Sequence, residues 1–444
     1  MTKSRRNPKL KLQNFRNLPS EVIIDIISRL PARSTAICKC VCKSWRDLIR
    51  NRELLKNLPP EIVIEILSRL SIRTIGTCKR VRKSWRDLLQ TRQFADSHLS
   101  KSVQGLVVSH NYTRFHVLAF EDELDLEDPD IHCNPLATFD SCKLFINIFD
   151  VKASVNGLLF LHPMSSTATD YYICNPITRE FFEFPFEPRL FYIYFYETVN
   201  YGFGVSKVTG QYKVVRIVDV MKPICHIYTL GTGKSLGKGK WRRIDPGPPL
   251  GKNKHSTGAF LNGCLHWFVE DSKNSNLISC FDLETETFST FSHPPVSMFK
   301  SYEVLVALGD CLCICDNRGE HEIAFWMMKE YGNDESWTKE FVIGKTPELV
   351  SDYGQSNGIV CPIKIFKDGH VLMTWEEHLG VNMLLNMFYY SNKTKTTTLF
   401  DAYNVFGISG AGSHMDALLF TPSFLSLKSF PNEFVTEFSY FRSH

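Results

Sequence analysis

The chain has 444 residues, of which 43% are hydrophobic and 22% charged, and carries a net charge of +4. That length exceeds one ordinary core and predicts two or three domains; the composition excludes a disordered or fibrous chain. No apolar run reaches the roughly 18 residues of a membrane span, and no apolar stretch follows the basic N-terminus, so neither a span nor a secretory signal is expected.

Charge is unevenly distributed. Residues 1–103 hold 23 Lys and Arg against 8 Asp and Glu, a balance of +15, and the remainder carries −11. A basic head on an acidic body predicts an acidic partner for the head, either nucleic acid or an acidic protein. Residues 1–16, MTKSRRNPKLKLQNFR, read as a basic disordered tail, with a nuclear-localisation patch as the alternative.

The first predicted helix occupies SEVIIDIISRL, 20–30. Ser20 is a good N-cap, Glu21 suits the first turn, and Pro19 stands ahead of the helix where a missing N–H is harmless. Val22, Ile23, Ile26, Ile27 and Leu30 spread over roughly 140° of its surface, with Ile24 about 60° beyond. A small three-helix module has internal use for only part of that arc. The surplus, with Leu18 and Pro19, predicts a face covered by another protein. Short helices follow at about 33–41 and over KSWRDLI, 43–49.

Forty residues on, the phrase recurs: residues 17–49 and 57–89 share 19 identities in 33 without a gap. Ile62, Val63, Ile64, Ile66, Leu67 and Leu70 repeat the apolar arc. A second short helix is expected at 73–81 and a third over KSWRDLL, 83–89; Trp45 and Trp85 read as closing the two small cores.

The motif LPxEhhxxIhxRL followed by VCKSWRDLI resembles the F-box, the helical module that docks on the Skp-type adaptor of cullin–RING ubiquitin ligases. The resemblance covers 17–50 and again 57–100. It implies adaptor contacts from Leu18, Pro19, Ile23, Ile26, Ile27, Val41, Cys42 and Trp45. In the second copy it implies Leu58, Pro59, Val63, Ile66, Leu67, Val81 and Trp85. The acidic adaptor surface of that family agrees with the +15 balance. The first copy keeps the fuller motif; the second has Ser71 and Arg82 in place of the first copy's Pro31 and Cys42 but runs on into FADSHLSKS, 94–102, like a usual F-box exit. Two adaptors so close would collide, so the expectation is one docking copy, the first, with the second as connector.

From about 103 the pattern turns to short alternating or apolar runs bounded by Gly, Asn, Asp and Pro, which predict strands. Gly105, Gly157, Gly210, Gly263, Gly309 and Gly369 stand where apolar runs open, at spacings of 52, 53, 53, 46 and 60. Several units share a strand, an N/D-x-x-T/K turn and a second strand: YYICNPITREFFEFP, ISCFDLETETFSTF and MFYYSNKTKTTTLF. That period, at about four strands per unit, predicts a kelch-like propeller of six or seven blades, with 412–427 helping to close the ring; two packed β subdomains are the alternative. NGLLFL, YGFGVSKVTGQYKVVRI, WRRI, FLNGCLHWF, ISCFDLETETF and EYGNDESWTKEFVI, in that order, resemble the F-box-associated domain of plant F-box proteins, implying a β substrate receptor. These motifs read as blade architecture; the substrate-binding residues stay unknown, and variable loops at a rim are the expected place for them.

The predicted architecture is α+β and multidomain: tail 1–16, F-box copies at 17–53 and 57–100, and a propeller-like domain at 103–430. GTGKS, 231–235, lacks the P-loop glycine, since Tyr228 stands there, and runs into a strand at Trp241. EDELDLEDPD, 121–130, reads as a solvated acidic loop. Of the fourteen cysteines, Cys38, Cys40 and Cys42, like Cys311, Cys313 and Cys315, lack zinc spacing; the last three alternate as one strand face does. No metal, cofactor or catalytic residue is expected. The resulting reading is a non-catalytic substrate receptor of a Skp–cullin–F-box ligase, cytoplasmic or nuclear, with a protein target. Two rivals stand beside it: a nucleic-acid binder using KRVRKSWR, 79–86, and a propeller hydrolase, which needs carboxylates or metal ligands clustered at one rim and shows no such cluster in the sequence.

Overall fold

The computed structural model describes residues 60–72, 75–76, 83–120, 133–141, 148–164, 170–185, 198–219, 223–231, 241–244, 250, 257–269, 277–294, 303–345, 358–379, 382–400, 415–431, 433–437 and 441–443. The chain divides into two compact units, 1–102 with 423–426, and 103–422 with 427–444.

In the first unit, helix α1 covers Pro60–Leu67, α2 Lys83–Leu88 and α3 Arg92–Leu99. Pro60 opens α1, where its fixed φ suits the first turn, and Glu65 pairs with Arg69 one turn on. Thr91 caps α3, its hydroxyl accepting from the Phe94 N–H at 3.2 Å. Val63, Ile64 and Leu67 of α1 are buried, as are Ile75, Leu89 and Phe94. Ser97 Oγ donates to Ser68 Oγ at 3.1 Å, and Lys101 pairs with Glu65, tying α3 to α1. Phe424, from the far end of the sequence, packs on Phe94 at 5.6 Å and edge-on against His98 at 4.9 Å.

The second unit is six antiparallel sheets. Blade 2 runs β4 (Phe149–Val155), β5 (Leu158–Pro163), β6 (Asp170–Asn175) and β7 (Glu180–Pro185). Blade 3 runs β8 (Thr198–Val205), β9 (Tyr212–Asp219), β10 (Pro223–Thr229) and β11 (Arg242–Ile244). Blade 4 is β12 (Ala259–Leu261), β13 (Cys264–Phe268), β14 (Leu277–Asp282) and β15 (Phe288–Ser292). Blade 5 is β16 (Glu303–Leu308), β17 (Cys311–Asp316), β18 (Glu322–Met328) and β19 (Trp337–Gly344). Blade 6 is β20 (Ile359–Ile365), β21 (Val371–Leu379), β22 (Asn382–Ser391) and β23 (Thr396–Phe400). Blade 1 is assembled from both ends: β24 (Met415–Phe420) lies inside β1 (Gly105–His110), β2 (Arg114–Phe120) and β3 (Cys133–Asp140), with β26 (Phe441–Ser443) outermost. A short β25 (Thr436–Glu437) edges blade 2.

The inner strands β4, β8, β12, β16, β20 and β24 neighbour one another in turn, and β24 neighbours β4, so the ring is closed with six blades. The expected closing segment 412–427 contains β24, which supplies a whole inner strand in register with β1, Gly105 opposite Phe420. Gly157, Gly210, Gly263, Gly309 and Gly369 sit at positive φ in the turns between first and second strands. Gly105 differs: it opens a second strand, because its blade takes its first strand from the C-terminal side.

The shared N/D-x-x-T turn has one geometry. Asn175 Oδ1 accepts from the Ile177 and Thr178 N–H groups, and Asp282 Oδ1 from those of Glu284 and Thr285. In blade 6 the equivalent acceptor is the Ser391 hydroxyl rather than Asn392. Each turn ends on a left-handed residue: Arg179, Glu286 and Lys395, at φ 61°, 58° and 60°. Of GTGKS only Gly231 lies within the described residues, which resume at Trp241, just ahead of β11. Cys313 and Cys315 share one buried cluster with blade 6, with Cys311 against its edge, while Leu312 and Ile314 pack with blade 4.

Candidate functional site

A cavity of about 650 Å³ lies within the ring, lined mainly by residues of the six inner strands. One end of it carries charge. Asp150 and Asp416 are the second residues of β4 and β24, and Glu376 pairs with Ile359, the first residue of β20. All three therefore lie at the edge where inner strands begin. Tyr112 joins them from the β1–β2 turn, since His110 pairs with Met415 at that same edge. The connections between blades end at this edge, and the glycine turns lie at the other.

Lys152, two residues along β4, pairs with Asp150 at 2.6 Å. Three carboxyl groups thus converge around one ammonium group. Burial pushes the Asp416 carboxyl up to about 8, helped by the charges of Asp150 and Glu376. Tyr112 is pushed up to about 12 by burial and by Asp150, Asp416 and Glu376. His162, opposite Asp150 on β5, is held down at about 4 by burial and the nearby Lys152, so it stays neutral. Thr374, on β21, lines the wall and donates to the Cys361 carbonyl at 3.3 Å. At neutral pH this mouth keeps one carboxyl protonated and in excess of the available cations. It is chemically suited to receive a positively charged group, which draws the proton off Asp416. Among the described residues no group of three or more His, Cys, Asp or Glu is arranged to hold a metal ion.

Of the sequence-derived docking residues, Leu18, Pro19, Ile23, Ile26, Ile27, Val41, Cys42, Trp45, Leu58, Pro59 and Val81 lie outside the described residues, as do the side chain of Ile66 and the acidic run 121–130. Val63 and Leu67 of the second copy are buried at 6% and 2% exposure within their own unit. In that copy these two positions face inward. Trp85 is half-buried on α2. The carboxylates at the mouth are not singled out by the sequence: they belong to three strands spread over more than 260 residues, and each alone reads as an ordinary strand residue. Their convergence at one rim supplies a cluster that the sequence did not display, and Cys361 and Thr374 line the same cavity.

Three family comparisons match along the chain: an F-box domain at 15–57, an F-box-like module at 55–94, and an F-box associated beta propeller domain at 106–408. Relatives in Arabidopsis thaliana include F-box protein At3g07870, 29% identical over 82% of this chain and 84% of that one. F-box protein CPR1 is 26% identical over 77% and 76% of the two chains. F-box/kelch-repeat protein At3g23880 is 26% identical over 80% and 87%. An F-box followed by such a propeller is, in general, the organisation of a substrate-recognition subunit of Skp–cullin–F-box ubiquitin ligases. With the propeller model matching well over half of its length, the chain belongs to the F-box-associated β-propeller family and carries the F-box ahead of the propeller.

Proposed function

We propose that this chain docks a Skp-type adaptor through its first F-box, 17–53, and holds a protein target at the charged mouth of the propeller, where a lysine or arginine side chain of the target enters the cavity. The chain itself does no bond-making. It raises the effective concentration of target lysines near a ubiquitin-charged enzyme on the cullin arm. The second copy acts as the connector, which accords with Val63 and Leu67 being buried in its own core. The reading places the chain in the cytoplasm or nucleus, with no cofactor.

The observation that carries the target half is the convergence of Asp150, Glu376 and Asp416 on one end of a cavity of about 650 Å³. A desolvated carboxylate cluster gains more from a cation than a solvated one does. Adaptor capture by the full chain tests the docking half: Leu18→Ala with Pro19→Ala should abolish it, and Leu58→Ala with Pro59→Ala should leave it. The opposite pattern reassigns docking to the second copy. Steeply salt-dependent DNA binding without adaptor capture overturns the reading in favour of a nucleic-acid partner. For the target half, Glu376→Lys should release proteins co-purified with the adaptor-deficient chain; if they stay bound, the mouth is not their site.

A further inference from the structure

The cavity is lopsided. Blades 6, 1 and 2 stand side by side in the closed ring and give its wall Glu376, Asp416 and Asp150, with Tyr112 beside them. Blades 3, 4 and 5 stand opposite, and none of their residues on the wall is charged. Phe260 of β12 and Val304, Leu305 and Val306 of β16 are among them. Phe260, Leu305 and Val306 are only half-buried, as is Leu418 of β24, so apolar surface stays open inside the ring. Glu376, in contrast, is a charged wall residue only 9% exposed. An acidic wall thus faces an apolar one across the gap.

The cavity also runs deeper than its charged end. It follows β4 from Asp150 to Asn156, about 20 Å at roughly 3.3 Å per residue. Below the carboxylates the wall continues through Ala153, Ile363 and Leu419, the fifth residues of β4, β20 and β24. A target side chain entering at the mouth leaves that deeper wall uncovered, whereas a free molecule can lie along it. The volume of about 650 Å³ falls in the range that takes whole small organic ligands. An anion would meet three carboxyl groups against the one ammonium of Lys152. A bare metal ion lacks its cage, since among the described residues no three or more His, Cys, Asp or Glu are arranged to hold one.

We propose that this cavity binds a free small organic ammonium ion, a primary amine with an apolar body. The ammonium group lies among Asp150, Glu376 and Asp416, and the body lies against Phe260, Leu305 and Val306 and along the deeper wall. The carboxylates gain a counter-charge in a desolvated site, and the half-buried apolar surface leaves water. Asp416, held protonated at neutral pH by burial and by the charges of Asp150 and Glu376, gives up its proton as the cation arrives. Lys152 on Asp150, the neutral His162 and Tyr112 are the other titratable groups at that end. Amine binding stands apart from the target half of the proposed function. Only its consequence rests on that reading: the amine takes the place of the target's cationic side chain and releases the target.

Titration calorimetry of the full chain with phenethylammonium tests this. The controls are 2-phenylethanol, which keeps the body without the charge, and ammonium, which keeps the charge without the body. Phenethylammonium should bind as a single molecule per chain, about tenfold or more tighter than either control. At pH 7, in buffers of different ionisation enthalpy, its binding should release close to one proton, a change that contact with a solvated surface carboxylate does not produce. Glu376→Gln and Asp150→Asn should each weaken it about tenfold in variants whose melting shows the ring intact. Equal affinity for 2-phenylethanol or for ammonium, or full affinity in both carboxylate variants, overturns the proposal. The two readings fail separately. Captured proteins that stay on a chain saturated with phenethylammonium remove the mouth as the target site and leave the amine site standing. Release of captured proteins by Glu376→Lys, from a parent chain that binds no phenethylammonium, keeps the target site and overturns the amine.

Discussion

The indole of Trp267 stands against the Cα of Gly258: a Cβ added there would lie 2.4 Å from Trp267 Cε2 and 2.6 Å from Cζ2. The same ring presses on Gly202, and its Nε1 donates to the Tyr201 carbonyl at 3.1 Å. Blade 6 repeats the relationship with Gly358 beneath Trp375. Glycine just ahead of an inner strand is thus the seat for a second-strand tryptophan. Gly258→Ala should destabilise the propeller by about 1–3 kcal/mol through overpacking, read as a lower denaturant midpoint with an unchanged slope. A Gly258→Ala, Trp267→Leu double variant should recover part of that loss.

Two residues with the same left-handed backbone should respond oppositely to glycine. Lys395 is exposed, its Nζ reaching Asn392 Oδ1 at 2.6 Å. Lys395→Gly should be neutral or stabilise by up to about 1 kcal/mol. Glu286 holds the buried Lys213 at 2.9 Å and Arg242 at 2.6 Å. Glu286→Gly leaves a buried ammonium group without its carboxylate and should cost about 3–5 kcal/mol. Chemical denaturation of both variants checks the sign.

His98 gives the helical unit a defined acid sensitivity. Burial between Phe94 and Phe424 holds it down at about 4, with Lys101 adding to the effect. The unfolded chain takes up its proton near pH 6.5, while the folded chain refuses it until about 4. Stability of this unit is therefore present above pH 6.5 and falls as pH drops from there toward 4. His98→Leu should flatten that slope in melts followed between pH 7 and 4, without lowering stability at pH 7 by more than about 1.5 kcal/mol.

Asp416 has the opposite dependence. Its folded value of about 8 lies above its ordinary range near 4, so the folded chain holds a proton the unfolded chain releases. Stability falls as pH rises from about 4 through 8. Asp416→Asn should melt like the parent chain at pH 4 and several degrees higher at pH 8.5. Under the proposed function, the same variant should weaken target capture while leaving adaptor capture intact.

Much of the propeller is legible because its turns are local. Asn156–Gly157 and Asn262–Gly263 carry positive φ at both residues, a demand written into two adjacent letters. The strand, acceptor and left-handed residue of each hairpin fit within a dozen positions. What is not legible is assembled from a distance. Nothing near Met415–Phe420 marks it as the first strand of a blade whose other strands begin at Gly105. Asp150, Glu376 and Asp416 meet only when three blades are placed. The buried side of α1 in the second copy was likewise hidden. The apolar arc shows how much surface is greasy, but not that Val63, Ile64 and Leu67 go inward.

Closure by β24 sets the order of events at the ribosome. Blades 3 to 6 have all their strands by Phe400, and blade 2 lacks only its short edge strand β25, yet β1 keeps an unpaired backbone edge until Phe420 has emerged. An edge of that kind recruits foreign strands, so a chain cut short before Met415 is expected to aggregate where the closed ring does not.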